Sequence, residues 1–208
     1  MKHRSTLIFV AVMLSVLNGI FILPGCDENM SLTGINSKSP GIVRIYITSD
    51  ETDDFIVVAG DTVWVGEGAN DSLSLKIGQA RAFRDSSQAV LFNTLQDYQE
   101  FNFVYNIIKL ENNEYKLYKI FESNLPAATY DSLLISINSD WLQIGYYQFT
   151  ISLPENENPL MTFKQSFKIN AGRVTEIFLV LRPFESMVRV KDTYQFFRDI
   201  IIAQIKEL

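Results

Sequence analysis

The side chains able to do chemistry in this 208-residue chain are unevenly chosen. It contains one histidine, His3, and one cysteine, Cys26, against 24 acidic residues. Both stand in the first 26 positions, so the rest of the chain offers no Ser–His or Cys–His nucleophilic pair and no His-ligated zinc site. Gly66-Glu67-Gly68 lacks the lysine and following helix of a phosphate-binding loop. Carboxylates remain. Asp50, Glu51, Asp53 and Asp54 cluster just after an apolar run, and Asp50, Asp53 and Asp54 are the candidate ligands for Ca²⁺, a hard cation that takes six to eight oxygens. The spacing is not that of an EF-hand, and the bland expectation is a solvated loop. Two carboxylates at a suitable separation also suffice for a glycosidase, although nothing in the sequence selects a pair. No cofactor is expected.

Aromatic residues supply the other candidates. Trp64, Trp141, Tyr146, Tyr105 and Tyr118 include side chains that alternation sets opposite the more apolar face of their segments, where a ring stacks on a sugar or anchors a protein partner. The competing expectation is that they cover a sheet.

The chain begins with a secretory layout: Lys2 and Arg4, an apolar run from Leu7 to Leu23, then Leu23-Pro24-Gly25-Cys26. These four residues resemble the lipobox of bacterial lipoproteins, with a small residue before the cysteine and an aliphatic one three before it. The resemblance implies a signal peptide over 1–25, cleavage before Cys26 and a diacylglycerol thioether on its sulfur. The apolar run is interrupted by Ser15, Asn18 and Gly19 and is shorter than the ~20 residues of a membrane span. From Cys26 to Pro40 the chain is polar and reads as a linker. Asp27 and Glu28 resemble acidic sorting signals that place some Gram-negative lipoproteins at the cell surface, whereas in other lineages an aspartate there retains the lipoprotein in the inner membrane; of the two membranes the outer one is favoured.

The net charge is −6, and losing Lys2 and Arg4 makes the processed chain two units more acidic. Such a surface repels phosphate backbones, so no nucleic-acid partner is expected. The expected partners are the membrane, through the lipid, and another envelope protein or a glycan. A processed chain of roughly 180 residues buries about 70% of its unfolded surface without disulfides or metals.

The elements that position these residues are strands. Val43, Ile45 and Ile47 alternate with polar neighbours, as do Leu73, Leu75 and Ile77, and Tyr147, Phe149, Ile151 and Leu153. Val174–Leu181 is apolar on both faces and reads as central, and Tyr194–Ile205 reads as one closing strand with Ile200-Ile201-Ile202 in the core. Gly60-Asp61, Asp85-Ser86-Ser87, Asn112-Asn113 and Asn170-Ala171-Gly172 punctuate the runs, and the last is expected to be a hairpin. Pro126, Pro154 and Pro159 are expected in connections. Only Thr94–Leu110 is ambiguous, because Leu95, Tyr98 and Phe101 suit one helical face. The predicted architecture is all-β, an antiparallel β-sandwich of immunoglobulin-like or transthyretin-like type, spanning 41–208 as a single domain.

Several segments in order resemble the DUF4382 family, a domain of unknown function common in secreted bacterial lipoproteins. They are Gly41–Asp50, Leu125-Pro126-Ala127-Ala128-Thr129-Tyr130 followed by Asp131–Ile137, Ala171-Gly172-Arg173 through Leu181, Ser186-Met187-Val188, and Tyr194 onward. Family members often carry aspartates near the end of the penultimate strand, where this chain has Val180 and Arg182. The resemblance implies a β-sandwich on a lipid anchor and no known chemistry. The sequence thus supports a lipid-anchored, non-catalytic binding or structural module, with a carboxylate-dependent envelope enzyme of glycosidase type as the alternative.

Overall fold

The computed structural model describes residues 39–68, 70–91, 103–191 and 193–208. The signal segment, the lipobox with Cys26 and the linker to residue 38 lie outside these, as does 94–102 of the ambiguous segment. The chain divides into two units, Met1–Leu32 and Thr33–Leu208, and every described residue belongs to the second.

That second unit is an all-β sandwich. Its strands begin with β1 (Pro40–Ser49), β2 (Phe55–Val58), β3 (Asp61–Trp64), β4 (Ser72–Arg84), β5 (Ser87–Leu91) and β6 (Val104–Asn106). They continue with β7 (Leu110–Glu111), β8 (Glu114–Tyr115), β9 (Tyr118–Pro126), β10 (Ala128–Tyr130), β11 (Ser132–Ile144) and β12 (Tyr147–Ser152). The last are β13 (Leu160–Phe163), β14 (Phe167–Ile169), β15 (Val174–Leu181), β16 (Met187–Val190), β17 (Thr193–Phe196) and β18 (Ile200–Glu207). One sheet has the order β18-β15-β1-β9. The larger has the order β16-β17-β12-β11-β4-β5, with β13 added to β11 and β6 to β4. Pairs β2–β3, β7–β8 and β10–β14 complete the structure.

Period-two patterning explains which face of each strand is buried. Val43, Ile45 and Ile47 of β1 are inaccessible, as are Leu73 and Leu75 of β4 and Ile177, Leu179 and Leu181 of β15. These side chains from both sheets share one core with Phe121, Tyr130, Leu133 and Ile135. Gln148 and Thr150 of β12 are exposed and Ile151 is buried, as alternation requires, but Phe149 is only half-buried. Its ring lies 4.8 Å from that of Tyr194 and stacks on Tyr147 at 6.1 Å.

Several expectations are corrected. Most pairings are antiparallel, but β1–β15 and β12–β17 are parallel. Parallel neighbours cannot be joined by a tight turn, and β1 and β15 are separated in the chain by most of the larger sheet. Asn170-Ala171-Gly172 is not a hairpin. It carries the chain from β14, paired with β10, to β15 in the four-stranded sheet, with Gly172 at φ 68°. Tyr194–Ile205 is two strands in two sheets, broken at Phe197–Asp199, where Arg198 adopts φ 56°. Consequently the Ile200-Ile201-Ile202 run alternates across an edge strand: Ile200 is buried, Ile202 half-buried and Ile201 55% exposed. Pro126 is the last residue of β9 and not part of a connection. The described end of the ambiguous segment, Val104–Asn106, is strand and pairs with β4.

Replacing Leu75 or Ile45 by alanine is expected to cost about 2–5 kcal/mol of unfolding free energy, because each leaves a cavity between the sheets. Phe149→Ala should cost less than the 3–5 kcal/mol typical of a fully buried phenylalanine. Urea denaturation followed by far-UV dichroism measures all three.

Candidate functional site

Three of the exposed aromatic residues, Phe55, Trp64 and Tyr146, lie on a hairpin and a turn that the fold ties together, and Phe103 and Phe197 are exposed elsewhere. The β2–β3 hairpin turns through Ala59 and Gly60, both at positive φ (53° and 101°), the conformation of a two-residue type I′ turn. Its register pairs Phe55 with Trp64, Ile56 with Val63 and Val58 with Asp61. Alternation then buries Ile56, Val58 and Val63 and leaves Phe55, Val57 and Trp64 outward, at 42%, 55% and 44% exposure. The Phe55 and Trp64 rings meet at 4.8 Å, a cross-strand aromatic pair that holds both side chains in place. Tyr147 Oη donates a hydrogen bond to Asp61 Oδ2 at 3.2 Å, tying the hairpin to β12, and this carboxylate holds the phenol pKa above its ordinary value. Tyr146, at the β11–β12 turn, is wholly exposed.

Asp71 fixes the spacing of these parts. Its Oδ1 accepts the amide N–H of Gly145 at 2.8 Å, and its Oδ2 accepts those of Gly66 at 2.8 Å and Gly68 at 3.3 Å. One carboxylate therefore holds the segment after Trp64 against the turn that carries Tyr146. Gly68 is required by the close approach, since a Cβ there would lie 2.0 Å from Asp71 Oδ1 and 2.8 Å from Gly145 N. Gly145 has φ 57° and stands against Val63. Asn106 anchors the base of the clamp: its Nδ2 donates to Asp71 O at 2.9 Å, its Oδ1 accepts Leu73 N–H at 3.2 Å, and its own carbonyl accepts Tyr118 Oη–H at 2.9 Å.

The acidic loop is built differently from the expectation. Asp53 is buried, and its Oδ2 accepts the amide N–H groups of Phe184 at 2.7 Å and Glu185 at 3.1 Å. Burial raises its carboxyl pKa, and these two amides act against that rise. Asp50 turns outward. Its Oδ1 accepts the N–H and Oγ1–H of Thr52 at 3.0 and 2.8 Å, and its Oδ2 lies 3.4 Å from Arg182 Nε, so its carboxyl is held below the usual range. Asp54 enters the hairpin through its carbonyl, which accepts Val65 N–H at 2.8 Å. The carboxylates of Asp50 and Asp53 both reach the segment 182–185, and among the described residues no three Asp, Glu, His or Cys side chains are grouped to hold a metal ion.

Two of the five candidate aromatics are not surface groups. Tyr105 and Tyr118 are buried edge-to-face at 5.2 Å, and Trp141 is half-buried. Each tyrosine ring comes from a strand whose inward face is set by its partner, β4 for Tyr105 and β1 for Tyr118. The pairing of Asp71 with Gly145 and of Asn106 with Leu73 was not legible in the sequence, because these partners lie 74 and 33 positions away in the chain.

The four-stranded sheet presents a second ordered surface. Glu122 Oε2 accepts from Arg44 Nε and Lys119 Nζ, both at 2.9 Å, and Tyr46 Oη donates to Glu176 at 3.2 Å. Tyr46 stacks on Phe178 at 5.0 Å, and Lys206 Nζ lies 4.8 Å from the Phe178 ring centre. Lys119 and Arg44 hold the Glu122 carboxyl below its ordinary range.

Comparison with family models, with curated proteins and with solved structures returned no match to the chain.

Asp71→Ala is expected to cost about 1.5–3 kcal/mol, the range for hydrogen bonds to a charged group. It should also broaden the amide resonances of Gly66, Gly68 and Gly145 while leaving those of β1 unchanged.

A pH dependence follows from the shifted carboxyls. Asp50 and Glu122 have lowered folded-state pKa values, so their contribution is present above the unfolded carboxylate range, about 4, and is lost as pH falls through the lowered values. Asp53, being raised, contributes below that range and loses its contribution as pH rises through its folded value. Glu122→Gln should therefore flatten the acid limb of a stability–pH profile and Asp53→Asn should steepen it. Added salt should weaken the Glu122 effect, since that network is partly exposed.

Proposed function

We propose that this chain is a lipid-anchored cell-envelope lipoprotein whose β domain is a non-catalytic binding module, with a glycan or another envelope protein as its partner. The observation that carries the binding part is the aromatic end of the domain, where Phe55 and Trp64 pair outward, Tyr146 stands free and Asp71 clamps their supporting segments. Rigid, exposed aromatic side chains provide contact area at little cost in conformational entropy, the property found in sugar-stacking and protein-binding surfaces. The anchor is supported by Leu23-Pro24-Gly25-Cys26 behind its basic and apolar segments. Two or three acyl chains on Cys26 make a durable tether, since each buried methylene adds about 0.8 kcal/mol. The outer membrane is the favoured site, on the acidic pair Asp27-Glu28. The ordered segments that resemble the DUF4382 family agree with this reading.

The carboxylates support contact over catalysis. Those of Asp71 and Asp53 are spent on backbone amides, and those of Asp50 and Glu122 are held low by donors and cations. A general acid needs a raised carboxyl free to face substrate across a cleft; that of Asp53 is raised, but its Oδ2 is held by two backbone amides.

Two measurements test this function. Cys26→Ala should move the protein from the detergent phase to the aqueous phase and remove its acyl mass; wild-type protein beginning at another residue, or without lipid, overturns the anchor. Trp64→Ala with Tyr146→Ala should abolish in-cell crosslinks from a photoreactive residue at position 57, or glycan retention on an array. Because both rings are exposed, stability should change by about 0.5 kcal/mol or less per site. Hydrolysis of an envelope glycan by the purified protein would replace binding with catalysis.

A further inference from the structure

A groove of about 380 Å³ lies beside the aromatic hairpin, between β2 and the inner side of β16–β17. Strand β2 forms one wall through Phe55, Ile56 and Val57, and Met187, Arg189 and Tyr194 are among the residues opposite. β2 pairs with β3 and with no other strand among the described residues. In a two-residue hairpin the residues flanking the turn exchange both ladder bonds, so Ile56 and Val58 point their backbone groups at β3. The Val65 N–H bond to Asp54 O, at 2.8 Å, continues the same phase. Phe55 and Val57 therefore turn their N–H and C=O groups toward the groove side, as an unused strand edge.

Three charged residues line the groove, Asp53, Glu185 and Arg189. Asp53 is satisfied by two amides, and Glu185 accepts from Arg182 NH1 at 2.9 Å. Arg189 is different: its Nε donates to Lys191 O at 3.1 Å, and it forms no salt bridge among the described residues. Among the described residues Arg189 thus has no carboxylate partner, in a groove of mixed polar and apolar lining beside an open strand edge. We propose that the groove binds an extended peptide segment of a partner protein, which adds to β2 as a third strand and sets one acidic side chain against Arg189. Backbone pairing with Phe55 and Val57 supplies affinity, and the alternate side chains, over Met187 and Tyr194, supply selection. At about 3.3 Å per residue, β2 offers pairing for about four residues of such a segment. This inference takes the binding-module reading as its premise and names the ligand class.

The test uses full-length protein in detergent, with Trp141→Phe so that Trp64 alone reports. Its ring pairs with Phe55 on the groove wall. The probe is an eight-residue peptide alternating valine and threonine with one central glutamate. Its glutamine analogue and a form N-methylated at alternate amides serve as comparisons. Saturable quenching is expected, about fivefold tighter for the glutamate peptide than for the glutamine one, as a partly exposed ion pair would give. N-methylation should weaken binding by about tenfold or more. Arg189→Gln should equalise the glutamate and glutamine peptides. Val57→Pro, which deletes an outward N–H and no β2–β3 bond, should mimic N-methylation. Equal binding of the methylated and parent peptides, no binding of any peptide, or no effect of Arg189→Gln would overturn the proposal. If crosslinks to an envelope partner persist in Arg189→Gln but vanish in Trp64→Ala, the module binds elsewhere and only the groove assignment fails.

Discussion

Strand β1 is hydrogen-bonded along both edges, antiparallel to β9 and parallel to β15, and the remainder of the domain is arranged around that placement. A parallel neighbour cannot follow through a short turn, so the chain between β1 and β15 must leave the first sheet and come back. It uses the excursion to lay down most of the larger sheet, then re-enters through Asn170-Ala171-Gly172. The buried side of β1 meets the core through Val43, Ile45 and Ile47, and the end of the strand is closed by Ser49 Oγ donating to Ile107 O at 2.8 Å. The domain therefore has a high proportion of pairings between residues distant in sequence, a topology that folds slowly because loop closure precedes contact.

The acidic residues show how burial changes the work of a carboxylate. On an exposed loop a cluster of aspartates suggests cation binding, because charge repulsion must be offset by something. Here backbone amides do so. Asp53 receives two, both from residues more than 130 positions away, and Asp71 three, two of them local and one from Gly145, 74 positions away. Each fastens a loop whose backbone donors would otherwise need water. The same bonds explain why the end of the sandwich bearing Trp64 and Tyr146 can hold exposed aromatic groups in a set position without a helix or a disulfide beneath it.

The hairpin β2–β3 stands apart from both main sheets, with an apolar face on each side: Ile56, Val58 and Val63 inward, Phe55, Val57 and Trp64 outward. An exposed strand edge usually carries a device that discourages pairing, such as proline, lysine or a bulge. Edge strand β18 has such a bulge, where its register with β15 shifts between Phe178 and Leu179. Strand β2 has none of these, and the nearest basic group across the groove is presented by Arg189. A binding surface and an aggregation-prone edge share the same chemistry, and the short length of β2 limits the second hazard.

Strand identity was legible in the sequence wherever one face is wet, because a two-residue period has no other physical source. Val43, Ile45, Ile47 and Leu73, Leu75, Ile77 were assigned to the core on that ground, and the turns at Asp85 and Asn112-Asn113 on the positive φ that Asp and Asn tolerate. Pairing was not legible. Nothing in Tyr194–Ile205 announces that the chain changes sheets at Arg198, and a run of three isoleucines reads as core until the strand that carries it is found at an edge. Tyr105 and Tyr118 stood among five candidate aromatics that the sequence could not sort into outward and covered, and both are buried. The Asp71 clamp and the groove beside β2 exist only in three dimensions, since hydrogen bonds spanning 74 residues and an unpaired strand edge are properties of which segments meet. Local periodicity is decided by each strand's own two faces; partners are decided by the competition of all strands for one core.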